Sequence, residues 1–240
     1  MPIQALSFDL DGTLVDTAPE IAEAVNRLLA EFRLPLLSET QITRLIGAGI
    51  EVLLQRVLDQ LRFVDPVGAA RIPFARLLQR LRVHYDATAG ARVCAYPGAV
   101  GALAALKSSG VRLACLTNKD SRYAQRVLRN NGLDEFFELL VGGDSLPVRK
   151  PDAAAVRHVL DHFGVAAGQF AHVGDSITDV AAARNAGVAA WVLPHGYNSG
   201  VPIRLSAPDR IFDSLAALAA HVLGARTVPT VDLVTDAADG

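Results

Sequence analysis

The sequence predicts an α/β fold, a doubly wound parallel β-sheet with an all-helical segment inserted after its first strand. From residue 95 to residue 224, short apolar runs alternate with helix-period patterns, and strands that alternate with helices form parallel sheets. Residues 16–94 repeat apolar side chains at helical spacing and contain no convincing strand. We therefore predict a core domain of residues 1–15 and 95–224, a helical domain of residues 16–94, and a disordered polar tail of residues 225–240.

The first predicted strand, residues 2–8, runs directly into two aspartates. This run is short and apolar, which is typical of a strand buried inside a sheet. Side chains at i and i+2 of an extended segment point the same way, so Asp9 and Asp11 should converge at the strand's carboxyl end, where open α/β sheets bind ligands. Two close carboxylates repel each other unless a cation compensates. Taken alone, the stretch leaves open an Asp-Gly turn that faces solvent.

Four helices are predicted in the inserted segment. Thr17 is the predicted N-cap of the first helix, and Ser38 with Gln41 forms a capping-box pattern ahead of the second. The glycines of Gly47-Ala48-Gly49 interrupt the apolar period and open the third helix, and Pro73 begins the fourth. The apolar positions that define these four helices are Ile21, Val25, Leu28, Leu29 and Phe32; Ile42, Leu45 and Ile46; Leu53, Leu54, Val57, Leu58 and Leu61; and Phe74, Leu77, Leu78, Leu81 and Tyr85.

The remainder of the chain supplies the other strands of the sheet. Helices and strands alternate without an internal repeat. The predicted strands cover residues 111–116, 139–141, 170–173, 189–193 and 209–212, and the predicted helices cover residues 99–107, 121–130, 151–163, a stretch ending at 186, and 215–223.

Polar residues follow three of these later elements, as they follow the first strand. Thr117-Asn118-Lys119 comes directly after an apolar strand, and Lys150-Pro151 stands at the start of a helix, with Pro151 predicted near its first position. Asp175 and Asp179 lie at a strand-to-helix turn. Each piece alone has an ordinary structural explanation: a polar cap, an exposed lysine or an acidic N-cap.

Together the four pieces resemble the four motifs of the haloacid dehalogenase superfamily, in order. Residues 8–15 are similar to its first motif, Thr117-Asn118 to the second, Lys150-Pro151 to the third and residues 174–179 to the fourth. The resemblance spans most of residues 3–223, and the inserted helices stand where that superfamily carries its first type of cap domain. It implies a Rossmann-like core with a helical cap.

The resemblance also implies chemistry at named residues. Asp9 would be the nucleophile that attacks phosphorus and becomes an aspartyl phosphate. Asp11 would protonate the leaving oxygen and then deprotonate the attacking water. Thr117, the Asn118 backbone and Lys150 would hold the phosphoryl oxygens.

The implied cofactor is Mg²⁺, which offsets the repulsion between a carboxylate and a phosphoryl dianion. Its ligands would be the Asp9 carboxylate, the Asp11 backbone carbonyl and Asp175, with Asp179 as an outer-sphere partner. Asp11 also argues against the dehalogenase branch, which lacks an acid/base aspartate at this place.

Other stretches resemble bacterial phosphoglycolate phosphatases, among them Tyr96-Pro97-Gly98 and His195-Gly196-Tyr197-Asn198. We therefore predict a phosphatase that converts 2-phosphoglycolate to glycolate and phosphate. Gly47 and Gly49 are predicted to bring backbone N–H groups to the substrate carboxylate, with Arg44 as an added partner. The alternatives are a phosphatase or phosphomutase for another small phosphate, such as a sugar phosphate or nucleotide, and a non-catalytic relative that binds phosphate.

The bulk composition favours a small-molecule enzyme. A net charge of −2 over 240 residues does not indicate the basic surface that binds nucleic acid. No apolar run reaches the roughly 20 residues that cross a bilayer. The two cysteines do not make a disulfide framework, and the N-terminal apolar run has no basic region before it. The expected partner is a small phosphorylated metabolite, with no nucleic acid and no membrane, for a cytoplasmic monomer or homodimer.

Overall fold

The computed structural model describes residues 2–92 and 94–226. Its centre is a six-stranded sheet in the order β3-β2-β1-β4-β5-β6, in which every neighbouring pair is parallel. This confirms the predicted parallel sheet, and the first strand lies inside it, as its apolar composition indicated. The strands are β1 (Ala5–Phe8), β2 (Arg112–Leu116), β3 (Leu139–Val141), β4 (Phe170–Gly174), β5 (Ala189–Val192) and β6 (Arg210–Ile211).

Helices cover both faces of the sheet, which is why its central strands are continuous apolar runs rather than alternating ones. One face packs against α6 (Ala99–Ser108), α7 (Ser121–Asn130) and α10 (Leu215–Arg226). The other face packs against α8 (Ala153–Phe163) and α9 (Ile177–Ala186). All four residues of β1 are buried.

The segment between β1 and α6 is helical in its described residues, as predicted. It contains α1 (Ala18–Glu31), α2 (Glu39–Thr43), α3 (Ile50–Val64), α4 (Pro66–Ala70) and α5 (Phe74–Thr88), with a buried apolar cluster of its own that also takes in Tyr123 and Tyr197. The capping box of Ser38 and Gln41 is confirmed at the start of α2. The short helix α4 was not predicted, because five residues are too few to show a helical period. The boundaries of the two predicted domains stay a prediction.

The start of α8 differs from the expectation. Pro151 lies ahead of the helix rather than near its first position, and Asp152 is the N-cap, with its carboxylate accepting the Ala154 N–H at 2.8 Å. An aspartate side chain satisfies an unpaired N–H of the first turn, so the helix begins after it.

Of the tail predicted for residues 225–240, residues 227–240 lie outside the described residues. Across residues 2–92 and 94–226, none of the helices is both long enough and apolar enough to span a lipid bilayer.

Candidate active site

The candidate site lies at the carboxyl edge of the three central strands. Phe8 of β1 is in register with Cys115 of β2 and Val173 of β4. Strands that run parallel and in register end together, so the residues that follow them meet. The structure therefore brings Asp9 into one place with the loop after β2 and with Asp175.

Asp9 is a buried carboxylate beside a buried cation. Its Oδ1 accepts the Leu10 N–H at 2.7 Å and lies 3.1 Å from Lys150 Nζ. Burial raises the pKa of Asp9 to about 6, although Lys150 opposes this rise. Both contacts involve Oδ1, so Oδ2 is the oxygen without a hydrogen bond among the described residues.

Two more carboxylates join Asp9 at the end of β4. One oxygen from each of Asp9, Asp175 and Asp179 lies within 4.8 Å of the other two, and all three residues are buried. Burial raises the pKa of Asp175 well above its usual range, and the charges of Asp179 and Asp9 raise it further. Buried carboxylates this close stay ionised together only beside compensating positive charge. Because the donors are all oxygens, the set fits a hard cation such as Mg²⁺.

Gly12 lets the turn after β1 approach this cluster. Its φ of 83° is in the left-handed region, and an added Cβ would lie 2.5 Å from Asp175 Oδ2. Thr13 follows and donates its hydroxyl to Asp175 Oδ1 at 2.7 Å. A side chain at Gly12 would therefore push the turn away from Asp175.

Asp179 is held by protein donors. One oxygen contacts Lys150 Nζ at 2.7 Å and His172 Nε2 at 3.1 Å, and the other accepts the Ser176 hydroxyl at 2.6 Å. Burial alone would raise the pKa of Asp179, but Lys150 and His172 hold it well below its usual range. Its oxygens are already engaged, which is compatible with the outer-sphere position expected for Asp179.

Lys150 is a cation shared by two carboxylates, Asp9 and Asp179. Burial alone would lower the pKa of Lys150, but these two charges raise it above its usual value. His172 is a buried residue of β4, and its other ring nitrogen lies 2.7 Å from Ser7 Oγ. Burial lowers its pKa, which favours the neutral ring.

Asp11 has a different cation, which the sequence did not identify. Its Oδ1 lies 2.7 Å from Lys119 Nζ and also accepts the Thr17 hydroxyl at 2.7 Å. The carboxylates of Asp9 and Asp11 both line one cavity but contact separate lysines. Thr17 stands at the N-cap position of α1 without the expected cap hydrogen bond, because its hydroxyl donates to the charged carboxylate instead. The available signal for Lys119 was its place directly after Thr117-Asn118.

The cavity lies between the carboxyl edge of the sheet and helices α1, α3 and α5. Gly47 and Gly49 lie in its lining at the start of α3, as expected, whereas Arg44 is exposed and lies against Gly200. The core side of the lining includes Asp9, Asp11, Thr117, Asn118 and Lys119, and the apolar residues on the helical side include Ile21, Val25, Ile46, Ile50, Leu53 and Leu81.

The Asn118 side chain connects the helical segment to the core. Its Nδ2 donates to the Gly47 carbonyl at 3.1 Å and to the Lys150 carbonyl at 3.0 Å. The sequence had assigned Asn118 only a backbone role. This amide fixes the loop that opens α3 beside the cavity.

Glu20 of α1 is a buried carboxylate behind this site, 2% exposed. Its Oε2 accepts the Gly90 N–H at 2.9 Å. Burial raises its pKa from 4.5 to about 7, against the lowering effects of Lys119 and Arg92, while Asp11 adds to the rise. Between pH 4.5 and about pH 7, Glu20 therefore keeps its proton in the folded protein and has lost it in the unfolded chain. The free energy of unfolding therefore falls as pH rises from 4.5 to 7.

Replacing Glu20 with glutamine should remove this dependence, since the amide keeps an acceptor for Gly90 and carries no charge. We expect the variant to be more stable than the wild type by about 1–3 kcal/mol at pH 8, with a smaller gain at pH 5. Urea unfolding at both pH values measures this. Glu23→Gln, on a partly exposed residue of the same helix, is the control. A Glu20→Gln gain of equal size at both pH values would contradict the assignment.

Comparisons with known proteins show which proteins this chain is similar to. A family model described as haloacid dehalogenase-like hydrolase matches residues 3–187. The match includes every candidate residue named above for the phosphoryl and metal sites.

Relatives match almost the whole chain. A phosphoglycolate phosphatase of Thiobacillus denitrificans is 37% identical over 222 residues, which is 92% of this chain and 96% of the relative. A plasmid-encoded phosphoglycolate phosphatase of Cupriavidus necator is 41% identical over 230 residues, 95% of this chain and 97% of the relative. A crystal structure from Haemophilus somnus, described as a predicted phosphoglycolate phosphatase, has a TM-score of 0.84 at 35% identity and covers 90% of this chain and 96% of that one.

Proposed function

Because this chain belongs to the haloacid dehalogenase-like hydrolases, we propose that it is a Mg²⁺-dependent phosphatase that hydrolyses 2-phosphoglycolate to glycolate and phosphate. The observation that carries the proposal is Asp9, a buried carboxylate beside the Lys150 ammonium at the edge of a cavity. The proposed substrate is that of the relatives named phosphoglycolate phosphatase, which this chain matches over nearly their full length.

Asp9 is the proposed nucleophile. Its free oxygen attacks phosphorus, a new O–P bond forms, and the bond from phosphorus to the glycolate oxygen breaks. Asp11 gives its proton to that leaving oxygen. Water then attacks the aspartyl phosphate while Asp11 takes a proton from it, which releases phosphate and restores Asp9.

The phosphoryl oxygens need donors throughout both steps. We assign this role to the Thr117 hydroxyl and the Asn118 backbone, directly after β2, and to Lys150, in the loop ahead of α8. Lys150 is positioned for it by the ion pair with Asp179 at 2.7 Å. Donors that are fixed before the reaction stabilise the developing charge without reorganising.

Asp9, Asp175 and the Asp11 carbonyl are the residues that would hold Mg²⁺, with Asp179 in the outer shell. When bound, the ion supplies positive charge that offsets the repulsion between the phosphoryl group and the carboxylates. The raised pKa of Asp175 supports this assignment, because that carboxylate lacks a neighbouring cation of its own within 4 Å among the described residues.

The helical segment, residues 16–94, is proposed to be a cap over the core of residues 1–15 and 95–224. Its apolar wall would exclude water from the phosphoryl group, and the loop of Gly47 and Gly49 would approach the substrate carboxylate. The contact from Asn118 to the Gly47 carbonyl supports a close approach of this loop to the site.

Replacing Gly49 with valine should lower kcat/KM for 2-phosphoglycolate far more than for p-nitrophenyl phosphate, which has no carboxylate. The glycine has a φ of 88°, and an added Cβ would lie 2.6 Å from Arg149 Nη1 and 3.1 Å from the Asn118 carbonyl oxygen. The loop must therefore move away from the site. We expect a loss of roughly 100-fold on the acid substrate, measured by phosphate release.

Gly132→Val is a matched control for this prediction. Gly132 has a φ of 65°, and an added Cβ would meet nothing within 4 Å, so the variant also places valine at a positive φ but away from the cavity. Equal losses on both substrates for Gly49→Val would show that the loop does not recognise the acid.

A panel of phosphate esters tests the substrate itself. It should include 2-phosphoglycolate, hexose phosphates and nucleotides, with the wild-type protein and Mg²⁺. A preference for hexose phosphates or nucleotides would reject 2-phosphoglycolate and leave the phosphatase chemistry. No hydrolysis of any ester would favour a phosphate-binding protein without catalysis.

A further inference from the structure

Lys119 is the one basic residue among the described residues that line the cavity. The wall contributed by the helical segment is mainly apolar, and the other charged residues of the lining, Asp9, Asp11 and Asp120, are acidic. A carboxylate that enters such a site loses its hydration and needs a cation or several strong donors in return.

Lys119 has the donors to accept such a carboxylate. Its side chain is 3% exposed, and its ammonium group lies 2.7 Å from Asp11 Oδ1 and 5.1 Å from the centre of the Tyr85 ring. An ammonium has three N–H donors. One is donated to Asp11 Oδ1 and the Tyr85 side chain lies beside the group, so these two partners leave a donor for a carboxylate. Its ion pair with Asp11 favours the charged ammonium, so the group is a cation.

The position of Lys119 suits a short acid. The Lys119 ammonium lies 2.7 Å from Asp11 Oδ1, and Asp11 is the group proposed to protonate the leaving oxygen. A carboxylate that contacts Lys119 must therefore lie close to that oxygen, as it does in a short acid.

The other basic residues near the loop are less well placed. Arg44 is exposed and lies against Gly200. Arg149 lies over Gly49 but is not part of the cavity lining. The backbone N–H groups at the start of α3 carry no formal charge, so they would assist a cation rather than replace it.

We propose that Lys119 is the residue that determines specificity for an acidic substrate, by binding the substrate carboxylate while it stays beside Asp11. The proposal rests on the proposed function and names the partner of the carboxylate. It differs from the sequence expectation, which placed that role on the Gly47–Gly49 loop and Arg44.

The kinetic test compares 2-phosphoglycolate with 2-hydroxyethyl phosphate, in which a neutral CH₂OH replaces the carboxylate. Lys119→Met should lower kcat/KM for the acid by at least about 100-fold, mainly through KM, and for the neutral ester by less than about 10-fold. Lys119→Arg should keep the preference for the acid. A fall of equal size on both esters would overturn the proposal. It would show that Lys119 acts only by pairing with Asp11 or by stabilising the fold.

Lys107→Met is the matched control. Lys107 is exposed, and its ammonium contacts the Glu135 carbonyl on the surface. We expect its kinetics to match the wild type on both esters. If the wild type does not prefer 2-phosphoglycolate to the neutral ester, the proposed substrate is wrong. If the wild type prefers it and Lys119→Met keeps the preference, only the role of Lys119 is wrong.

A binding experiment keeps the proposal testable if Lys119→Met does not fold with Asp11 unpaired. Asp11→Asn and the double variant Asp11→Asn/Lys119→Met each avoid an unpaired, half-buried carboxylate at that position. Calorimetry with Mg²⁺ should show that Asp11→Asn binds phosphonoacetate at least about tenfold more tightly than methylphosphonate, and that the double variant loses this preference. Retention of the preference in the double variant would overturn the role of Lys119.

Discussion

Replacing Asp9 with asparagine should abolish steady-state hydrolysis and lower kcat by at least about 10⁴-fold. The amide keeps the shape of the side chain and can accept the Leu10 N–H, which Asp9 receives at 2.7 Å. It cannot form the aspartyl phosphate, because an amide oxygen is a poor nucleophile toward phosphorus. Phosphate release should be measured with both 2-phosphoglycolate and p-nitrophenyl phosphate, since every substrate depends on this step.

The variant should remain folded, since Lys150 keeps its 2.7 Å ion pair with Asp179 when the charge of Asp9 is removed. Thermal unfolding checks this. Asp152→Asn is a suitable control, because Asp152 caps α8 outside the cavity lining and asparagine is an equally good N-cap. Wild-type rates in purified Asp9→Asn, with contaminating phosphatase excluded, would refute the covalent mechanism.

Removal of Mg²⁺ with a chelator should eliminate activity, and added Mg²⁺ should restore it. Asp175→Asn should raise the Mg²⁺ concentration required for half-maximal activity by at least about 100-fold, or eliminate turnover. The variant loses the charge of a proposed ligand. Its one amide oxygen can still accept the Tyr197 N–H, and its NH₂ can donate to the Thr13 hydroxyl, which contacts the other oxygen of Asp175 in the structure. Asp175→Ala should have the same effect or a larger one.

Stability gives a readout of this site that does not depend on turnover. Mg²⁺ should raise the Tm of the wild type, because the ion binds only the folded state, and should raise that of Asp175→Asn much less. Without metal the variant should be at least as stable as the wild type, since one of three buried carboxylates that repel each other is gone. Full activity of the wild type in metal-free buffer would contradict the assignment of these aspartates.

The order of elements could be predicted from the sequence because hydrophobic period and turn residues are local properties of the chain. β3 at Leu139–Val141 and α7 at Ser121–Asn130 agree with the predicted ranges. The predicted Asp9, Thr117 and Asp175 do meet at one edge, since parallel strands end together. Two features were missed for local reasons. The helix α4 has five residues, too few to show a helical period, and the start of α8 depends on one residue, its N-cap Asp152.

The sequence by itself determined the fold class and the set of acidic and polar residues at the strand ends. Only the tertiary structure decided which cation faces which carboxylate. Asp9 and Asp11 are two residues apart, yet one contacts Lys150 and the other contacts Lys119, which is 108 positions away from it. Such pairs depend on how strands and the helical segment pack across long separations in the chain. A local pattern carries no information about that packing, and so Lys119 emerged as a site residue only when the cavity around it was seen.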